Sequence, residues 1–286
     1  MSKRNAPSLN LVWIPGQTYA VDLVSGKSAA GATPDDLAPL LSGHREALVG
    51  IGRGLVFLKA VRLPKALPED LRRIISVRMD SLFPLPPDQL AFDFLQTEDQ
   101  SDEGLLTLVA AIRTQDLEQL RESLQRVGVQ AANVLPVSLG AVAVAARAGV
   151  PRAVVVERSP AGLTLDVVHD GVVRFSRMAA RDSDPEVEAR RMMAAADSGV
   201  LPVVAAGGLT LPGAVLVSET SLSLLAEAPA FTFERSEDRV RVAQRRIAVP
   251  RICTGLPRST VRPVSQTLGG RLSAITAVRS LRGCAG

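Results

Sequence analysis

Residues 61–94, VRLPKALPEDLRRIISVRMDSLFPLPPDQLAFDF, contain the clearest change of secondary structure in the chain. Pro68 suits the first turn of a helix, and the apolar residues after it recur at intervals of three and four. This apolar stripe consists of Leu71, Ile74, Ile75, Met79 and Leu82. A proline lacks an amide hydrogen and disfavours helical geometry in the residue before it. The helix is therefore expected to end before Pro84, Pro86 and Pro87.

The segment after these prolines has the alternation of a half-buried strand. Leu90, Phe92 and Phe94 fall on one face, and Ala91 and Asp93 fall on the other. We expect the phenylalanines to pack beneath the preceding helix. Asp93 then points away from them, and its position requires no buried charge.

The order of these features resembles the PilM and GspL family, actin-fold proteins of type IV pilus and type II secretion assembly. The family pattern is a Leu-Pro step, an amphipathic helix with a late acidic residue, an aromatic-Pro-hydrophobic stop, and a strand ending in aspartate and an aromatic. The matching residues here are Leu63-Pro64, Asp80, Phe83-Pro84-Leu85 and Asp93-Phe94. Residues 275–283, ITAVRSLRG, are similar to the terminal helix of PilM. The alternative is an unrelated helix followed by a proline-rich turn and a strand.

The resemblance implies an α/β, actin-like (ribonuclease H-like) fold of two lobes with a small inserted αβ subdomain. Residues 1–150 would form the first lobe, with the insertion at about 52–130. Residues 151–286 would form the second lobe and end in a helix over Leu272–Leu281. Between the strands that end near Met178 and begin near Pro202 there is room for one helix, residues 184–198. The second lobe is therefore expected to be reduced.

An uncharged stretch, residues 199–217, is close in length to the roughly 20 residues that span a bilayer. Its glycines and prolines divide it into short pieces, which favours buried parallel strands over a membrane helix. The N-terminal residues MSKRNAPS lead into a short apolar run, so we expect no signal peptide. The sequence therefore predicts no direct membrane span.

Composition indicates a folded protein with little tendency to bind nucleic acid. Of its 286 residues, 47% are hydrophobic and 22% are charged. The net charge is +4, and apolar residues interrupt basic groups such as Arg72, Arg73 and Arg78, so we expect solvated faces instead of a nucleic-acid surface. Cys253 and Cys284 are too few for a disulfide framework or a zinc motif, which fits a reducing cytosol.

The actin-like fold implies an ATP cleft between the lobes, in which backbone amides hold the phosphates and carboxylates position magnesium or its water. The first loop would be VWIPGQTYAV, residues 12–21. Gly16 is present in it, but no acidic residue precedes Asp22. The magnesium-orienting carboxylate of the first loop is therefore missing.

The second loop would be VVVERSPAGLTL, residues 154–165. Glu157 could replace the usual aspartate, but Pro160 removes an amide donor. Gly207 and Gly208 resemble the glycine pair of the nucleoside-binding segment, and a turn at the end of a strand explains them equally well. If the protein binds nucleotide, the candidate contacts are Gly16, Glu157, Gly207 and Gly208. We expect ATP and magnesium to be disfavoured and the protein to be a pseudo-ATPase.

Other enzyme signatures are absent from the sequence. Gly26, Lys27 and Ser28 lack the upstream glycine of a phosphate-binding loop, and there is no Gly-x-Ser-x-Gly motif. Asp166 and Asp170 flank one predicted hairpin, and we expect exposed turn residues instead of an acid/base pair. No catalytic residue and no metal ligand is predicted.

The family resemblance implies a non-enzymatic cytoplasmic scaffold, peripheral on the inner membrane through a partner of the pilus or secretion platform. The motor ATPase is a further candidate partner. Leu82, Phe83 and Leu85 are candidate contacts for the membrane partner, and the competing interpretation is that they belong to the core. The alternative function is a nucleotide-binding actin-like ATPase.

Overall fold

The computed structural model describes residues 7–196 and 198–233. The predicted C-terminal helix and both cysteines lie outside these residues. Within them, the strands are β1 (Leu9–Ile14), β2 (Gln17–Asp22), β3 (Ser28–Gly31), β4 (Glu46–Ile51), β5 (Val56–Leu63), β6 (Leu90–Ser101), β7 (Gly104–Arg113), β8 (Gln130–Pro136), β9 (Arg152–Ser159), β10 (Gly162–His169), β11 (Val172–Ala179), β12 (Val203–Ala206) and β13 (Val215–Val217). The helices are α1 (Ala38–Leu41), α2 (Pro68–Leu82), α3 (Thr114–Arg126), α4 (Gly140–Arg147) and α5 (Pro185–Ala195).

Two five-stranded sheets repeat the same topology along the chain. The first has the order β3-β2-β1-β4-β8 and the second has the order β11-β10-β9-β12-β13. In each sheet the first three strands in sequence form an antiparallel meander. The fourth strand pairs in parallel with the first, and the fifth pairs in parallel with the fourth. This duplication is the actin-like, ribonuclease H-like arrangement that the sequence predicts. Both lobes lie in one compact unit within Met1–Val249.

The second lobe is reduced at the connection between its last two strands. In the first lobe α3 precedes β8, whereas a glycine-containing turn without a helix joins β12 to β13. These two strands pair in parallel, as predicted for the uncharged stretch at 199–217. The prediction that both are buried is wrong for β13, since Val215 and Leu216 are exposed. In the described parts of the chain no helix combines the length and apolar character needed to cross a membrane. The lobe boundary at residue 150 stays a prediction.

The inserted subdomain lies between β4 and α3. It is an antiparallel sheet of order β5-β7-β6, with α2 packed against it. Helix α2 begins at Pro68 and ends at Leu82, as the prolines and the apolar stripe predict. Leu71, Ile75 and Met79 from that stripe are fully buried.

The environment of Asp93 differs from the one expected from the sequence. Its side chain is 16% exposed and accepts a 2.5 Å hydrogen bond from Arg72 and a 3.1 Å bond from the backbone N–H of Thr232. Strand alternation does separate Asp93 from its neighbours Phe92 and Phe94, but the face it points to is covered. The prediction that Asp93 requires no buried charge is wrong, and so is the assignment of Arg72 to a solvated face. Burial raises the pKa of Asp93, although Arg72 opposes this shift.

The chain after β13 returns to the first lobe and fixes the two lobes together. Asn10 on β1 donates from Nδ2 to the Leu222 carbonyl at 2.7 Å, and Phe233 donates its N–H to the Val134 carbonyl at 2.8 Å. At the start of α4, a Cβ added to Gly140 would lie 1.9 Å from the Ser221 carbonyl oxygen. The returning segment, residues 218–233, therefore lies directly on the backbone of α4.

Candidate functional site

A cavity of about 450 Å³ lies between the lobes. The β1–β2 hairpin forms one wall and the β9–β10 hairpin forms the opposite wall. Arg53, in the turn that follows β4, and Thr220, in the returning segment, are among the other lining residues. This interlobe cavity occupies the position at which the sequence predicts the nucleotide cleft.

Glu157 lies at the end of β9 and is a buried carboxylate in this lining. Its Oε2 accepts a hydrogen bond from the backbone N–H of Ser221 at 2.8 Å. Burial raises the pKa of Glu157, while the charge of Arg53 and the bond from Ser221 oppose the shift. Glu157 therefore already has a structural partner within the protein.

Arg53 and Asp166 form a buried ion pair that joins the two lobes. Arg53 Nε donates to Asp166 Oδ1 at 3.1 Å, and its Nη2 donates to Oδ2. Ser176 on β11 donates to the same Oδ1 at 2.5 Å. The Asp166 side chain is 1% exposed, so the prediction that it is an exposed turn residue is wrong. Asp170, at φ 51° in the β10–β11 turn, is exposed as predicted.

The predicted glycines have turn geometry. Gly16 has φ +78° in the β1–β2 turn, and a Cβ added there would meet nothing within 4 Å. Gly207 has φ +66° and donates its N–H to the carbonyls of Val217 and Glu219. A Cβ added to Gly207 would lie 2.9 Å from Thr220. Gly208 also has a positive φ, +81°.

Among the four candidate nucleotide contacts, Glu157 lines the interlobe cavity, and Gly207 lies beside it. A Cβ added to Gly207 would be 3.7 Å from Glu157 Cγ. Gly16 and Gly208 are not part of the cavity lining. The nucleotide role of all four residues stays a prediction.

Two arginines in the cavity lining were not identified as a site from the sequence. Arg158 follows Glu157 on β9, and its Nη1 donates to the backbone carbonyl of Arg181. Both side chains are exposed, and no carboxylate of the described residues forms an ion pair with either. In the same residues there is no cluster of three or more His, Cys, Asp or Glu side chains that could hold a metal ion.

A second cavity of about 320 Å³ lies between the inserted subdomain and β11. Leu82 and Phe83, at the end of α2, line it but are more than nine-tenths buried in the subdomain core. Leu85 is half-buried and packs against the same core. The structure thus places all three residues together at one edge of the subdomain. Their role in partner binding stays a prediction.

The fold and its cavities define an actin-like protein with two lobes, a reduced second lobe and an inserted αβ subdomain. One similar solved structure is the cytoplasmic domain of EpsL, an inner-membrane component of the type II secretion system of Vibrio cholerae. It has a TM-score of 0.56 and 14% identity, with 80% of this chain and 98% of that chain covered.

Another similar structure is the PilM-PilN type IV pilus biogenesis complex, with a TM-score of 0.58 and 15% identity over 77% of this chain and 90% of that chain. No family model matches the sequence, and no curated protein matches it. At these identities the comparison shows similarity of fold alone. This similarity confirms, for the fold, the resemblance to PilM and GspL that residues 61–94 predict.

Proposed function

We propose that the protein is a non-enzymatic cytoplasmic scaffold of a type IV pilus or type II secretion platform, held at the inner membrane by a partner. The observation that carries this proposal is the shared fold. It extends over 98% of the cytoplasmic domain of an inner-membrane secretion component and over 90% of a chain in the PilM-PilN complex. The first belongs to an inner-membrane component of a type II secretion system, and the second is a type IV pilus biogenesis complex.

The chemistry of the interlobe cavity supports a scaffold without ATP turnover. Magnesium requires hard oxygen ligands in near-octahedral geometry. Glu157 is a buried carboxylate that the Ser221 amide already engages, and Asp166 is held by Arg53 and Ser176. Pro160, in the second hairpin turn, offers no amide hydrogen to a phosphate. These donors do not match a magnesium-bound nucleotide, so we propose a pseudo-ATPase.

The proposed partner is a membrane protein with a short amphipathic cytoplasmic segment, and the motor ATPase is a second candidate partner. The second cavity supports a site at the edge of the inserted subdomain, since Leu82 and Phe83 supply apolar lining there. Because these two residues are largely buried, we propose that Leu85, which is half-buried beside them, makes the exposed contact.

Co-purification tests the scaffold role. The full chain is expressed with any single-span membrane protein that a neighbouring reading frame encodes, either intact or without its cytoplasmic segment. We expect the intact membrane protein to retain the chain in detergent and the shortened protein to lose it. Equal recovery with both forms would overturn the proposed role.

Isothermal titration with Mg-ATP tests the pseudo-ATPase proposal separately. We expect no heat of binding at micromolar ligand concentration and no phosphate release. Micromolar binding that requires magnesium would instead support the nucleotide-binding actin-like ATPase.

A further inference from the structure

The walls of the interlobe cavity are mainly apolar. Its volume, about 450 Å³, falls in the range of roughly 300–1,000 Å³ that is usual for small-molecule sites. The apolar lining residues include Val12, Ile14, Ala30, Val137, Met178 and Leu222. Such walls favour an apolar ligand body, because contact removes apolar surface from water.

The charges in the lining are distributed unequally. Arg53 is neutralised by Asp166, and Glu157 is bound by the Ser221 amide. Arg158 and Arg181 adjoin each other through the bond from the Arg158 guanidinium to the Arg181 carbonyl. Since neither forms an ion pair with a described carboxylate, the β9–β10 side of the cavity carries positive charge that no described acidic side chain pairs with.

We propose that the interlobe cavity binds a small amphiphilic anion without a divalent metal. The apolar body lies against the walls, and a single carboxylate or phosphate head is held by Arg158 and Arg181. Guanidinium groups suit this role because they donate two parallel hydrogen bonds to such heads. The ligand is unrelated to the partner site at the second cavity, so either proposal can fail without the other.

Calorimetric titration of the full chain with octanoate, octyl phosphate and octanol tests the proposal. Each titration is done in EDTA and in magnesium. We expect at least one anion to bind about tenfold more tightly than octanol, since octanol has the body without the charge. The preferred anion distinguishes a carboxylate ligand from a phosphate ligand, and magnesium should not alter its affinity. Octanol binding as tightly as both anions, or binding that requires magnesium, would overturn the proposal.

Variants locate the site. Arg181→Gln should weaken anion binding about fivefold, as is typical for an exposed charge pair, while octanol binding stays unchanged. Ala30→Trp places a large ring in the cavity from an exposed strand position and should abolish binding of both anions with the arginines intact. The control Arg190→Gln changes an exposed arginine outside the cavity and should have no effect. Unchanged anion affinity in both Arg181→Gln and Ala30→Trp would refute the assignment.

Discussion

Arg53 and Asp166 show at the level of single residues how the two lobes are held together. The turn that carries Arg53 leaves β4 at Gly52, where an added Cβ would lie 2.2 Å from Ile14 Cγ1. This close approach requires glycine and fixes the turn against the first hairpin. The Arg53 side chain then reaches β10 in the other lobe and lines both cavities.

Sequence patterns drew attention to Asp93 and Asp166 but not to their partners. Strand alternation correctly separated Asp93 from Phe92 and Phe94, but it could not reveal that Thr232 covers the opposite face. Arg53 and Asp166 are 113 positions apart, and no local pattern connects such residues. The sequence therefore did not predict the buried ion pairs between residues that are distant along the chain.

The first prediction concerns Asp166→Asn. This change leaves the guanidinium of Arg53 buried without its counterion, and we expect the free energy of unfolding to fall by about 3–5 kcal/mol. Urea denaturation followed by circular dichroism measures the loss. Asp170→Asn, in the exposed turn of the same hairpin, is the matched control and should change stability by less than about 0.5 kcal/mol. Similar small losses in both variants would show that the ion pair does not stabilise the fold.

The second prediction concerns pH and Glu157. Because burial raises its folded pKa above the ordinary value of 4.5, the folded state holds the proton more tightly than the unfolded state. This stabilisation is complete below pH 4.5 and is lost as pH rises through the folded pKa. Glu157→Gln does not titrate, so its free energy of unfolding should increase relative to wild type as pH rises.

Urea denaturation between about pH 4 and pH 8 measures this difference. Glu103→Gln, in the exposed β6–β7 turn, serves as the control and should leave the pH profile of wild type unchanged. A difference between Glu157→Gln and wild type that stays constant or decreases with rising pH would contradict the assigned direction.

At the scale of elements, locally encoded features were the most predictable. Prolines mark both ends of helix α2, with Pro68 at its start and Pro84 just after its end. The spacing of its apolar residues specifies the buried face. The β10–β11 turn follows from Asp170 and Gly171, which both have positive φ. Strand β3 was not predicted, because its sequence SAAG is short, only partly buried and without alternating apolar side chains.

The third prediction tests the contact between α4 and the returning segment. Gly140→Ala would place a Cβ 1.9 Å from the Ser221 carbonyl oxygen. We expect a loss of about 2 kcal/mol in the free energy of unfolding, whereas alanine normally stabilises a helix relative to glycine. Thermal and urea denaturation measure the effect.

Gly54→Ala is the control for Gly140→Ala, since a Cβ added at Gly54 meets nothing within 4 Å. It should leave stability within about 0.5 kcal/mol of wild type. Stabilisation by Gly140→Ala would mean that the returning segment does not rest on α4.

At the scale of the whole molecule, the repeated strand order is what makes the fold actin-like. The sequence predicted it through the resemblance in residues 61–94 and the order of elements, not through any residue at the lobe junction. The single helix between β11 and β12 was predictable from the chain length there, whereas the helix-free connection from β12 to β13 was not predicted. Cavity chemistry was not predictable either, since Arg158 and Arg181 meet only after β9, β10 and β11 pair.

The proposed function depends on binding of a membrane partner at the edge of the inserted subdomain. The most direct measurement is fluorescence anisotropy of a labelled peptide carrying the partner's cytoplasmic segment, titrated with the full chain. We compare wild type with Leu85→Glu and with the control Val77→Glu, which changes an 84% exposed valine on α2. We expect saturable binding to wild type and Val77→Glu, and binding at least about tenfold weaker to folded Leu85→Glu. Absence of binding to wild type, or equal binding by all three proteins, would contradict the proposed site.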